Sequence, residues 1–341
     1  MDRPALAASP GPWRLTFVTD PDDCNLACEM CREHSPLAPE RPEVPRRLPL
    51  ALVARVLDEL AGSRLSEVIP STVGEPLLWR ELPGLAGLCG ARGLRLNVTT
   101  NGTFPRLGGA GWAGLLAPVA SDVKVSWNGA TAATAEAAMA GLRFDDALRQ
   151  LRDFVAGRDR IRARGQRCCT VSFQVTAMER NVAELPDVVR LAAAAGVERV
   201  KLNHLQVHFP ELAGQDLRRS PASRARWNEA VRGMRRAAEE HRLPSGEAVR
   251  LQNAIELDEE GRPPEPGPCP FLGAEAWVLA DGSFAPCPAP AAKEGRLGAF
   301  GSLVEHDLLE IWRGPAYTAL AAGYRENAIC AGCALRRPGG A

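Results

Sequence analysis

Between Leu15 and about Gln206 the chain alternates short β-branched runs with longer stretches of helical apolar spacing, and this rhythm constrains the fold more than any other feature. Strand-then-helix repetition of this kind builds βα units around a parallel sheet. Strands are expected at Leu15–Thr19, Glu67–Pro70, Arg95–Thr99, Asp122–Ser126, Thr170–Val175 and Arg199–Leu205. Between them Leu52, Val53, Val56, Leu57 and Leu60 recur at helical spacing, as do Leu185, Val188, Val189, Leu191 and Ala192 ahead of the helix-ending Gly196. Six such units make a partial (β/α)6 barrel, short of the closed eightfold form. A further helix is expected at about Ala225–Glu240, its charges forming a solvated face. Glu259–Pro270, dense in Gly and Pro, reads as a linker. It divides the chain into an α/β core of residues 1–258 and a segment of residues 259–341, whose small module begins near Cys269.

Charge and cysteine usage narrow the function classes. Lys plus Arg and Asp plus Glu both count 41, so no global field favours nucleic acid or an anionic membrane, and a small or neutral substrate fits the balance better. No apolar run is long enough to span a bilayer, and Met1–Pro12 lacks a signal peptide's hydrophobic core, so a cytoplasmic protein is expected. In that reducing compartment ten cysteines are not a disulfide framework, and those clustered at short spacing read as metal ligands. Cys89, Cys168 and Cys169 fall outside the clusters and read as buried small hydrophobes.

The first cluster is Cys24-Asn25-Leu26-Ala27-Cys28-Glu29-Met30-Cys31, just after the first strand. Three close thiolates suit either an incomplete zinc site, with His34 as the local fourth candidate, or a cubane cluster with one iron left open. The second set, Cys269, Cys287, Cys330 and Cys333, could hold tetrahedral zinc or a fully protein-ligated cluster. Asp281-Gly282 marks a hairpin turn leading to Cys287.

The Cys-x3-Cys-x2-Cys motif after a first strand resembles the radical S-adenosylmethionine superfamily. The resemblance implies a [4Fe–4S] cluster on Cys24, Cys28 and Cys31, whose open iron takes the amino and carboxylate groups of S-adenosylmethionine, with Met30 near the adenine. Reductive cleavage would then yield a 5′-deoxyadenosyl radical, the electron coming from a flavodoxin- or ferredoxin-type donor. Ser71-Thr72-Val73-Gly74-Glu75-Pro76 resembles the family's Gly-Gly-Glu segment with Val73 in place of the first glycine, which leaves Gly74 and Glu75 as contacts to the methionyl ammonium. Thr99-Thr100-Asn101-Gly102 resembles its Thr-Asn-Gly, and Ser126-Trp127-Asn128-Gly129 its Ser-x-x-Gly, with Ser126 toward the ribose or carboxylate. Thr100, Asn101, Ser126 and Asn128 therefore join the expected cofactor contacts. The C-terminal cysteines, with Leu297-Gly298-Ala299-Phe300 and Leu308-Leu309-Glu310-Ile311-Trp312 between them, resemble the SPASM/twitch extension. Four cysteines match its short form, twitch, a hairpin plus helix holding one auxiliary [4Fe–4S] cluster.

The reaction is less constrained than the cofactor, because substrate does not follow from fold. The cluster motif begins at Cys24, with little chain upstream for a leader-binding domain, so a small molecule is expected: an aminocyclitol or amino sugar, as in the related aminoglycoside-pathway dehydrogenases and epimerases. No thiol or phenol stands near the expected site as a hydrogen donor; Tyr317 and Tyr324 both fall in the C-terminal module. Oxidation of a secondary alcohol, with the auxiliary cluster accepting the electron, is the expected reaction. Epimerisation, 1,2-diol dehydration and peptide modification are the alternatives, and a zinc-binding interaction module is the non-enzyme one. On the sixth strand His204 and Gln206 are expected to face the interior as substrate contacts, His204 also as a base. Asp22, Asp23, Glu33 and His34 flank the cluster loop and read as loop charges or polar contacts.

Overall fold

The computed structural model describes residues 9–39, 45–71, 73–258, 267–333 and 335–336. The expected linker falls largely outside them, as does Thr72 of the Gly74–Glu75 segment. All six expected strands are present: β1 (Arg14–Phe17), β3 (Glu67–Ile69), β4 (Arg95–Thr100), β5 (Ala120–Ser126), β7 (Thr170–Ala177) and β8 (Arg199–His204). They lie side by side in that order, all parallel. The crossovers between them carry α1 (Leu50–Glu59), α2 (Leu82–Ala91), α3 (Gly108–Leu116), α4 (Ala132–Ala138), α5 (Phe144–Ala163) and α6 (Leu185–Ala195). After β8 comes α7 (Pro221–Glu240), started by Ser220, whose hydroxyl accepts the Ser223 N–H, and by Pro221, which has no N–H to satisfy.

The sheet is wider than six strands. β9 (Arg250–Gln252) adds parallel to β8 at one edge. At the other edge β10 (Glu275–Val278), from the C-terminal segment, pairs parallel with β1 so that Leu15 faces Ala276 and Thr16 faces Trp277. β11 (Phe284–Ala285) returns antiparallel on β10 and completes the expected hairpin, with Gly282 at φ 84° in its turn. Among the described residues, one nine-stranded sheet thus joins the core to the C-terminal segment. A separate two-strand ribbon pairs β2 (Ala27–Cys28) with β6 (Met139–Ala140). The C-terminal helices are α8 (Pro290–Lys293), α9 (Leu308–Arg313), α10 (Pro315–Gly323) and α11 (Ala328–Ala331). Trp312 and Tyr317 of α9 and α10 are fully buried; the Trp312 indole donates to Ser9 Oγ, fastening the segment back onto the start of the described chain.

The two faces of the sheet differ sharply. Leu15, Phe17, Val68, Val98, Val123, Val125, Phe173 and Leu202 are buried to 1% exposure or less beneath the helices. Burying each such side chain stabilises the fold by about 1.5–3 kcal/mol. The alternate residues point inward, and Thr99, Lys124, Ser126, Gln174, Lys201 and Asn203 are only half-buried, so solvent reaches the barrel interior. Its floor, at the N-terminal ends of the strands, is a polar network. Arg14 pairs with Glu67 and Glu275, Asn97 donates to Glu67, Lys124 to Asn97, and Arg199 to Asp122 and Ser172.

Candidate active site

The three-cysteine loop is held at the opposite, C-terminal ends of the strands, where parallel α/β folds place their sites. Four attachments fix it. The β2–β6 ribbon pairs Cys28 with Met139. Asn101, at the end of β4, donates its side-chain amide to Asn25 Oδ1 at 2.8 Å and lies 3.9 Å from Cys24 Sγ. Glu29 is ion-paired to Arg180 after β7. The fourth attachment comes from the loop after β3. Gly74 has φ 74°, and a Cβ there would stand 2.4 Å from the carbonyl oxygen of Asp20 and 2.8 Å from that of Asp23, so only glycine lets the two backbones meet. The next N–H, that of Glu75, donates to Asp23 O at 2.8 Å.

Within the loop the thiols crowd one another. Burial first, then the neighbouring thiols of Cys31 and Cys24, push the Cys28 thiol up to about 12, and burial also raises Cys24. Thiols that resist ionisation alone, as Cys24 and Cys28 do, become stable thiolates when a cationic centre sits beside them, which is the donor chemistry an iron–sulfur cluster needs. His34 does not join them. Its ring is buried and its Nε2 engages Pro21 O at 2.8 Å. Asp22 is taken up by Arg46, and Asp23 lies beside Arg47.

The other expected cofactor residues divide into two groups. Glu75 is fully buried: its Oε1 accepts from the Thr100 hydroxyl at 2.8 Å and the Leu77 N–H at 3.0 Å, and its Oε2 from the Asn101 N–H at 2.6 Å. Burial pushes its ionisation up to about 7 despite these three donors. Glu75 and Thr100 therefore brace the ends of β3 and β4. Asn128 does the same for β5 and β7, its Oδ1 accepting the Thr176 N–H at 2.8 Å. Gly74, Asn101, Ser126 and the half-buried Met30 stand at the strand ends and the cluster loop, around the mouth.

His204 and Gln206 are not where the sequence suggested. His204 shares a face with Val200 and Leu202 and packs against Trp227 of α7, ring centroids 4.6 Å apart, on the outside of the sheet. Burial, then nearby Arg218, pushes its ionisation down to about 4. Gln206 lies beyond β8 in an exposed position. The inward residues of β8 are Lys201 and Asn203, and the fully buried Val200 and Leu202 were the signal that could have oriented the strand. Lys124, between the outward Val123 and Val125, was legible in the same way and was missed.

The second thiol set lies in the C-terminal segment. Cys269, Cys287, Cys330 and Cys333 line one small apolar cavity together with Phe271, Leu297, Tyr324 and Ile329. α11 carries Cys330, with Cys333 two residues past its end, and its first turn is capped by Asn327, whose side chain accepts from the Ile329 and Cys330 N–H groups. The Tyr324 hydroxyl accepts the Cys269 N–H at 3.3 Å. Burial first, then the other three thiols, pushes Cys287 up to about 12. All four are free cysteines, and the same donor logic fits them to a cluster. Among the described residues no group of three or more His, Cys, Asp or Glu side chains is arranged to hold a single metal ion. A polar cleft lined by Arg32, Glu33, Arg46, Asp281, Lys293 and Glu294 runs between the three-cysteine loop and the C-terminal segment.

Comparison with known proteins bears on both halves. Residues 269–334 match the SPASM family, described as an iron–sulfur cluster-binding domain. The match is to SPASM itself and does not distinguish the short twitch form expected from the cysteine count. The PqqA peptide cyclase of Xanthomonas campestris is 27% identical over 319 residues, 92% of this chain and 77% of the relative. Streptococcus suis SuiB, solved with S-adenosylmethionine, has a TM-score of 0.66 at 17% identity, covering 95% of this chain and 71% of its own. anSMEcpe with bound AdoMet has a TM-score of 0.62 at 14% identity, covering 90% and 79%. SuiB is also solved with the precursor peptide SuiA, and anSMEcpe with the Cp18Cys peptide. The chain thus shares its fold with SuiB and anSMEcpe, a parallel α/β barrel followed by a C-terminal segment that matches the SPASM model. The expected kinship with aminoglycoside-pathway enzymes finds no support, because these relatives and neighbours are named for, or solved with, peptides. No helix of the described residues is long and apolar enough to cross a membrane.

Proposed function

We propose that this chain is a radical S-adenosylmethionine enzyme that removes a hydrogen atom from a peptide. One observation carries this reading: two separate thiol sets, three cysteines at the C-terminal ends of the barrel strands and four around a cavity in the SPASM-matching segment. In the SPASM-matching segment the four thiols line one cavity, which supports a polynuclear centre there over a single zinc ion. Cys24, Cys28 and Cys31 would hold one [4Fe–4S] cluster and Cys269, Cys287, Cys330 and Cys333 a second. Gly74, Asn101, Ser126 and Met30 would hold S-adenosylmethionine at the strand ends. When bound, the reduced cluster and cofactor supply a carbon radical able to take hydrogen from an unactivated C–H bond.

The chain's own residues set the geometry for that chemistry. Glu75 fixes the Asn101 backbone, Asn101 fixes Asn25 beside Cys24, and the glycine at 74 draws the β3 loop onto the cluster loop. The peptide substrate is favoured over the aminocyclitol by the peptide cyclase relatives and by the peptide-bound neighbours. Ten free cysteines suit a reducing compartment such as the cytoplasm, where a flavodoxin- or ferredoxin-type donor can deliver the electron.

The test is anaerobic turnover of reconstituted protein with S-adenosylmethionine, dithionite and either a deuterated peptide pool or 2-deoxystreptamine. The reading expects deuterium from peptide in 5′-deoxyadenosine. Stimulation by 2-deoxystreptamine, with none by peptides, would return the substrate to the small-molecule class.

A further inference from the structure

The barrel interior is polar in two different ways. Toward the floor it is ionic and satisfied within itself. Glu67 accepts from Arg14, Asn97 and Ser121, and Asp122 from Arg199 and Ser172. Lys124 donates to Asn97 and is attracted by Asp122; Lys201, in register with Gln174, has a partner of its own. Near the C-terminal ends of the strands the other inward residues are neutral: Thr99, Ser126, Gln174, Thr176 and Asn203. All five are half-buried, and none of their side chains has a hydrogen-bond partner among the described residues.

The two amides of this wall are neighbours. Gln174 faces Ser126 across β5 and β7, and Asn203 faces Thr176 across β7 and β8. Gln174 and Asn203 therefore stand one strand and two residues apart, roughly 8 Å between backbones at about 4.8 Å per strand and 3.3 Å per residue. Each side-chain amide offers N–H donors and a carbonyl acceptor in one plane. A peptide backbone carries the same two groups, one N–H and one C=O per residue. An ammonium, by contrast, would find no free carboxylate among these inward residues. Once a substrate displaces water from the wall, an amide left unpaired costs about 1–3 kcal/mol, so a substrate that fits must answer both its donor and its acceptor.

We infer that Gln174 and Asn203 bind the backbone of the substrate peptide, pairing with the N–H and C=O of the residue brought beside the cofactor. The inference rests on the peptide-modifying reading and adds to it that the barrel reads the chain itself, whatever the charge of its side chains. Ser126, opposite Gln174, is one of the residues assigned to S-adenosylmethionine, which sets the bound residue next to that cofactor.

The experiment measures equilibrium binding of the peptides Ac-Ala-X-Ala-NH2, X being each common amino acid, to the iron-loaded, anaerobic protein, with S-adenosylmethionine affinity measured alongside. The best binder is then compared with its depsipeptide, in which an ester oxygen replaces the N–H of X. Loss of one neutral hydrogen bond predicts that the ester binds about two- to tenfold more weakly. Q174M and N203L, close in size but without the amide, should each weaken the amide peptide at least about fivefold, and the ester penalty should vanish in one of them. Circular dichroism and S-adenosylmethionine affinity should stay at wild-type values, because neither amide is bonded within the described protein. The ester comparison on the wild type needs no variant to fold. Equal binding of amide and ester, an ester penalty that persists in both variants, or wild-type peptide affinity in both would overturn the backbone assignment and leave the peptide reading standing. So would variants that weaken S-adenosylmethionine as much as the peptide, since the amides would then serve the cofactor. No binding of any peptide by protein that still cleaves S-adenosylmethionine would overturn both.

Discussion

Glu75 Oε2 accepts the backbone N–H of Asn101 at 2.6 Å, so a fully buried carboxylate from the loop after β3 fixes the residue that holds the three-cysteine loop. Glu75→Ala leaves the Thr100 hydroxyl and two backbone N–H groups without their acceptor. It should destabilise the protein by about 2–4 kcal/mol and weaken S-adenosylmethionine binding while iron content is retained. Urea denaturation and equilibrium binding check both. Unchanged affinity would remove Glu75 from the site's support.

The same residue gives a pH signature. Its ionisation, pushed up from 4.5 to about 7 by burial, means that the folded protein keeps a proton the unfolded chain has lost between those values. Its contribution to stability is therefore full below about 4.5 and declines as pH rises through about 7. Glu75→Gln should flatten that part of the stability profile, measured by denaturation at a series of pH values.

Gly74→Ala forces a Cβ to within 2.4 Å of a backbone oxygen at a positive φ. The β3 and cluster loops must separate, so S-adenosylmethionine affinity should fall at least about tenfold, a loss of 1.4 kcal/mol or more. Titration of the loaded protein decides it; wild-type affinity would mean that the loops bind the cofactor independently.

Arg158 is 2% exposed and donates to Asp159, Glu198 and the carbonyls of Gly196 and Cys169, at the strands' N-terminal ends. Removing it leaves buried acceptors unpaired, and Arg158→Ala should destabilise by about 3–5 kcal/mol. Because the site is at the opposite end, the folded fraction should bind S-adenosylmethionine normally. A selective loss of affinity without loss of stability would contradict this placement.

The six central strands were legible because each is a short β-branched run followed by helical spacing. β10 was not, since Thr16 and Trp277 meet across some 260 residues and parallel pairing leaves no local signal. Strand alternation on β8 was visible, yet the inward face was assigned by the polarity of His204, and Trp227, which covers that histidine, lies in a later helix. Cys89 and Cys169 are fully buried as expected, and Cys168 is partly exposed. The thiol sets were readable from spacing. Glu75's role as a brace was not, because its partners Thr100 and Asn101 sit on another strand.

The central claim is that Cys24, Cys28 and Cys31 hold a cluster that cleaves S-adenosylmethionine, independent of the C-terminal four. Its most direct test is to replace the three together by Ala and measure iron, labile sulfide and 5′-deoxyadenosine under anaerobic reduction. The wild type should carry about eight irons and form 5′-deoxyadenosine; the variant should keep about four and form none. Stoichiometric zinc in the wild type, or undiminished 5′-deoxyadenosine from the variant, would contradict the account.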